Sequence, residues 1–154
     1  MQAIIQNIKE NGDEALFSYT KQFDKADINA SNVKVTDEEF EEAYKAVDPA
    51  LLDVIRKALV NIESYHELQK QNSWFKSTPQ GTMLGQKVTP LEKVGVYVPG
   101  GKAVYPSSVL MNIMPAKVAG VDKIIMTTPC NAEGKVNPAV LVAAKEAGAD
   151  EVYK

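Results

Sequence analysis

The two side chains that enzymes use most for proton, metal and nucleophile chemistry occur once each, as His66 and Cys130. A zinc site built on nitrogen and sulfur needs three or four such ligands, so this chain alone cannot assemble one. A serine–histidine–aspartate triad would have to draw on His66, and no supporting motif accompanies it. His66 closes a long helical pattern and reads as a helix-face or hydrogen-bonded residue. Cys130 follows an apolar run and Pro129, with no cationic cluster beside it to stabilise a thiolate, and reads as a bystander. What remains is VGVYVPGGKAVYPSSVLMNIMPAKVAG, residues 94–120. Its apolar start predicts a buried strand that delivers Pro99-Gly100-Gly101 to the carboxyl edge of a sheet, where open α/β sheets bind ligands. Two glycines permit backbone conformations closed to other residues and let a ligand come close. Ser107 or Ser108 is expected to cap the helix that follows, whose free N–H groups suit a phosphate or carboxylate. The run is not GxGxxG. The residues alone leave two readings open: a ligand loop, or a tight strand-to-helix turn with no ligand.

The elements that must position this loop are legible from periodicity. Ile4, Ile5 and Ile8 share a helical face, Asn11-Gly12 marks a stop, and Ala15, Leu16, Tyr19 and Phe23 line a second helix. Residues 24–32 read as loop and Val33–Val35 as a brief strand. Thr36 followed by Glu39 is a capping box opening a helix with Phe40, Ala43, Tyr44 and Val47 on its stripe. Pro49 suits the first turn of a third helix. Leu51, Leu52, Ile55, Leu59, Ile62 and Tyr65 continue it to about residue 70. Thr78-Pro79-Gln80-Gly81 is turn chemistry, and residues 82–89 look extended. A clear rhythm follows: strand Val94–Val98, helix Ser107–Ala119, strand Lys123–Thr128, a helix begun by Asn137-Pro138 and ended at Gly148, and strand Glu151–Tyr153. Pro115 is expected to kink the first crossover helix, because it lacks the N–H that would bond Met111.

This is a βαβαβ unit, which implies a parallel sheet with right-handed crossovers and half of a doubly wound fold. The expected architecture is α/β: a helical amino-terminal region at 1–72, then an incomplete Rossmann-like domain at 73–154. A third parallel strand wants neighbours on both sides. The end at Lys154 is therefore read as truncation, with an open edge expected at that strand. An open edge beside exposed apolar surface favours dimers or larger assemblies.

Composition excludes several classes. Hydrophobic residues make up 45% and charged residues 24%, ordinary for a globular protein. With 17 basic and 20 acidic residues, the net charge is −3, and no basic run is interleaved with aromatics, so nothing points to nucleic acid. No apolar stretch is long enough to span a bilayer as a helix. The start, MQAIIQNIKENGDEAL, does not read as a signal peptide. One unpaired thiol fits a reducing, cytoplasmic setting.

The run YVPGG, then PSSVLMNIMPAKVAGV and KIIMTTPC, resembles the histidinol dehydrogenases. GDEALFSYTKQFD, NIESYHELQK and NPAVLVAAKEAGADEVYK carry the resemblance along nearly the whole chain. It implies a part of a zinc- and NAD-dependent enzyme that oxidises L-histidinol through the aldehyde to L-histidine, working as a homodimer of longer chains. It also implies that Tyr97 is the tyrosine that contacts NAD. The family's zinc ligands and its glutamate–histidine acid–base pair fall beyond Lys154, so the chain alone is expected to be inactive. Two other readings stand beside this one: a stand-alone, non-catalytic α/β module that binds a nucleotide or a protein, and a different enzyme built on carboxylates around the glycine loop. No paired-carboxylate motif supports the latter.

Overall fold

A computed structural model describes residues 1–100 and 104–154. Gly101 lies outside the described residues. Three helices come first: α1 (Gln2–Phe23), α2 (Asp37–Ala46) and α3 (Pro49–Glu67). A hairpin follows, β1 (Trp74–Ser77) and β2 (Met83–Gln86). Then come β3 (Lys93–Tyr97), α4 (Pro106–Val118), β4 (Lys123–Thr127), α5 (Pro138–Ala147) and β5 (Glu151–Tyr153).

Local chemistry accounts for most boundaries. α1 breaks at Gly12, whose φ of 56° and ψ of −134° are not helical. Across that break Asn7 Nδ2 donates to the Tyr19 hydroxyl at 3.0 Å. Residues twelve apart on a straight helix would be separated by about 18 Å, so the two halves fold back on each other. The capping box forms as expected: Glu39 N–H donates to Thr36 Oγ1, and Thr36 N–H to Glu39 Oε2. Asp48 caps α3 ahead of Pro49. That helix ends at Glu67 rather than near residue 70, and Tyr65 is exposed rather than on the packed stripe. α4 runs on through Pro115 to Val118. Asn137 caps α5 through Ala139 N–H, and Gly148 closes it at φ 89°.

β3, β4 and β5 form a parallel sheet in that order, with Tyr97 opposite Thr127 and Thr127 opposite Tyr153. α4 and α5 pack side by side on one face, with α3 against α4 and α2 against α5 on their far side. The core lies between sheet and helices. Val98, Val109, Ile113, Met126 and Val142 are wholly buried there, and Ala43, Ile55 and Leu59 of the outer helices belong to the same cluster. Glu146 of α5 fastens the helical layers. It accepts from Arg56 Nε and Nη2 at 2.9 and 3.0 Å and from the Tyr44 hydroxyl at 2.7 Å.

Two expectations are corrected. Residues 74–77 form a strand that the sequence pattern does not announce. β1 pairs antiparallel with β2 through the Thr78–Gly81 turn, where Gly81 has φ 86°. The open edge also lies elsewhere than expected. β5 is flanked on its outer side by residues 33–35: Val35 N–H donates to Val152 O, Lys154 N–H to Val33 O, and Lys34 bridges Tyr153. Ion pairs seal this side, Lys34–Glu151 at 2.8 Å, Lys123–Glu151 at 3.1 Å and Lys154–Glu39 at 2.6 Å. Within the three-stranded sheet, and among the described residues, the strand with a free outer edge is β3.

Candidate functional site

The carboxyl ends of β3 and β4 and the amino ends of α4 and α5 meet at one edge of the molecule. Val98 N–H donates to Thr127 O at 2.9 Å, carrying the parallel ladder one residue past β3 before Pro99 turns the chain away. Gly100 then passes close to Pro129: a Cβ there would stand 3.3 Å from Pro129 Cγ and Cδ. Glycine is what lets the loop after β3 lie against the loop after β4. Between these loops opens a crevice of about 350 Å³, lined among others by Pro99, Gly100, Thr128, Cys130 and Asn137. That volume is at the small end of ligand pockets.

The two helix starts at this edge differ. α5 is self-satisfied, with Asn137 filling its cap. α4 begins at Pro106 with Tyr105 in the cap position and no side-chain cap. Ser107 and Ser108, expected to cap, lie inside the first turn instead, because Pro106 takes the N1 position. The Ser107 N–H has no backbone or side-chain partner among the described residues. An uncapped helix start presents N–H groups and the positive end of the macrodipole, which favours an anion.

Tyr97 stands at the end of β3 on the face turned away from α4, and the residue is 62% exposed. It does not line the crevice itself. Cys130 does, half-buried, and burial pushes its thiol up, the opposite of activation. His66 sits at the carboxyl end of α3, where Nδ1 is 2.7 Å from Gln69 Oε1 and the Tyr65 ring meets it edge-on at 5.3 Å. It takes no part in the crevice. Among the described residues no group of three or more histidine, cysteine, aspartate or glutamate side chains is placed to hold a metal. Sequence reasoning missed the contribution of Thr128–Asn131. The available signal was position: these residues leave the second strand of the βαβ rhythm at the same carboxyl edge as Pro99-Gly100.

A parallel sheet with helical crossovers and a ligand-sized crevice at the strand ends define an open α/β chain. The histidinol dehydrogenase family model matches residues 1–154, and the chain belongs to that family. It is 55% identical over 154 residues to the histidinol dehydrogenase of Bacillus subtilis, covering 100% of this chain and 36% of that protein. To the one from Heliobacterium mobile it is 53% identical over 151 residues, covering 98% and 35%. The crystal structure of histidinol dehydrogenase from Elizabethkingia anophelis superposes with a TM-score of 0.91 at 37% identity, over 99% of this chain and 35% of that one. The chain thus spans about 35% of the length of the relatives it matches.

Proposed function

We propose that this chain supplies one side of the NAD-binding edge of a homodimeric, cytoplasmic histidinol dehydrogenase, the zinc- and NAD-dependent enzyme that oxidises L-histidinol through the aldehyde to L-histidine. The observation that supports it is a family match over the whole chain that leaves Tyr97 exposed at the carboxyl edge of the sheet. NAD, when bound, accepts the hydride that leaves the alcohol carbon. The residues here fit part of such a dinucleotide. Tyr97 offers a ring for packing and a hydroxyl for a polar partner, and the uncapped start of α4 offers N–H groups to an anionic group. Among the described residues no cluster fits zinc, and the crevice lining holds no histidine, aspartate or glutamate to take the hydroxyl proton. Those functions belong to the larger part of the relatives that this chain does not span, and residues 1–154 alone are expected to be inactive.

The test is Tyr97→Ala and Tyr97→Phe in the protein continued to the length of its relatives. Loss of the ring is expected to raise KM for NAD about tenfold, or ~1.4 kcal/mol, with a smaller change in kcat and little change for phenylalanine. An unaltered KM for NAD in Tyr97→Ala would remove Tyr97 from the cofactor site.

A further inference from the structure

One wall of the crevice is the segment that leaves β4, from Thr128 through Cys130 and Asn131 to Lys135. On its crevice side Pro129 meets Gly100. Behind it lies a second hollow of about 270 Å³, lined among others by Asn32, Glu39, Glu133, Gly134, Lys135 and Lys154. Lys135 borders both spaces. Two charges meet in the rear hollow: Lys154 Nζ lies 2.6 Å from Glu39 Oε1, with the side chains 6% and 25% exposed. An ammonium so far from water persists when it is paired. The same carboxylate closes the capping box of α2, since Glu39 Oε2 accepts the Thr36 N–H at 3.0 Å. Through Glu39, α2 grips the carboxyl end of β5.

That grip reaches the wall through short links. Lys154 follows Tyr153, whose carbonyl accepts the Thr128 N–H at 3.1 Å. Thr128 is 2% exposed and forms the root of the wall. Beyond it the wall is braced within itself. Asn131 O accepts the Gly134 N–H, and Asn131 Oδ1 accepts the Lys135 N–H. A displacement at Thr128 therefore carries the wall with it. The Cys130 thiol, pushed up mainly by burial, also feels Lys154 and Glu39, which act on it in opposite directions. The pair thus stands close behind the crevice, yet neither residue lines it.

We infer that Glu39 and Lys154 are positioning residues for the cofactor. Their ion pair holds the 128–135 wall against the loop of Pro99 and Gly100, and so sets the fit of NAD without touching it. The inference rests on the functional reading above, in which this edge receives NAD. A wall fixed in advance favours binding, because ordering a loose one would subtract from the affinity.

The test compares Lys154→Met, Glu39→Gln and Thr36→Ala in the protein continued to the length of its relatives. Glutamine still closes a capping box, so Glu39→Gln removes the charge and keeps the cap. Thr36→Ala breaks the cap and keeps the ion pair. Lys154→Met leaves no unpaired buried ammonium, so it reports even where Glu39→Gln fails to fold. Lys154→Met and Glu39→Gln are each expected to raise KM for NAD about tenfold, while kcat and KM for L-histidinol change by less than about twofold. The double variant should be about as impaired as either single one, because both remove one interaction. Thr36→Ala is expected to lower Tm and leave KM for NAD unchanged. Hydrogen exchange at the Thr128 amide should be about tenfold faster in Lys154→Met, with the Val98 amide unchanged.

A KM for NAD that rises as much in Thr36→Ala, or in step with that for L-histidinol, overturns the inference in favour of a general loss of structure. So does a Thr128 amide that exchanges no faster in Lys154→Met. An unmoved KM for NAD in Lys154→Met, where Tyr97→Ala raises it, sinks this inference alone. A raised KM in Lys154→Met with an unmoved one in Tyr97→Ala sinks the assignment of Tyr97 alone.

Discussion

The β5 side and the β3 side of one small sheet are built to different standards of completeness. On the β5 side the strand edge and several charged groups find partners within this chain. Residues 33–35 close the strand edge, Glu151 holds two lysines, Lys154 reaches Glu39 with its side chain only 6% exposed, and Asn137 caps α5. On the β3 side, among the described residues, the strand edge is free and α4 starts without a side-chain cap, and Tyr97 is 62% exposed. Buried polar groups left unpaired are costly, so folded chains satisfy them. The β3 edge and Tyr97 are exposed, so water meets these groups and leaves them free for a further partner. The closed side holds the fold together, and the open side carries the proposed function.

Substitutions can break this contrast. The largest effect is expected from Val152→Ala in β5, 1% exposed, which should cost about 2 kcal/mol in chemical denaturation, while Val96→Ala in half-buried β3 costs less than about half of that. Equal costs in the 154-residue chain would mean that the two sides are equally packed. Next, Glu146→Ala strips the shared acceptor from Tyr44 and Arg56 and is expected to cost about 1–1.5 kcal/mol. The same contact, added to burial as the larger cause, pushes the Tyr44 hydroxyl up to about 12. Absorbance titration should therefore find one tyrosine ionising well above the ordinary 10, and Glu146→Ala should lower that value. Asn137→Ala should cost about 1 kcal/mol as a lost helix cap, whereas Ser107→Ala and Ser108→Ala stay within about 0.5 kcal/mol because neither serine caps α4.

The smallest effect concerns acid. Hydrogen bonds from Lys34 and Lys123 lower the Glu151 carboxyl from 4.5 to about 2. A carboxyl lowered by folding stabilises the fold above its unfolded value and loses that contribution as pH falls from about 4.5 toward about 2. Glu151→Gln should flatten the stability profile in that window, read as Tm against pH, and an unchanged profile would show that the cluster contributes nothing.

Much of the closed side was legible in the sequence because local rules write it. The Thr36–Glu39 box, Asn137-Pro138 and Gly148 are each decided within one helical turn. The strand–helix alternation after residue 93 follows from burial on one face. β1 escaped because Trp74 and Phe75 are both exposed, so no alternation of burial was imposed on the run. Val33–Val35 read as a brief strand, but its pairing with β5 escaped because it joins segments more than a hundred residues apart. The serines were misread because the proline rule applied at Pro49 and Pro138 was not applied at Pro106, which sets Tyr105 as the cap. Of the site, Pro99-Gly100 could be placed from strand and turn chemistry. The role of Tyr97 came from family resemblance, since nothing in one exposed tyrosine specifies a dinucleotide.

The central claim is that residues 1–154 hold a cofactor edge without the machinery to use it. Its most direct test is NADH formation from L-histidinol with added zinc, run on the 154-residue chain and on the protein continued to the length of its relatives. The account predicts turnover in the longer protein and none in the shorter. Turnover by the 154-residue chain itself would contradict it, because among the described residues no cluster is placed to hold the metal.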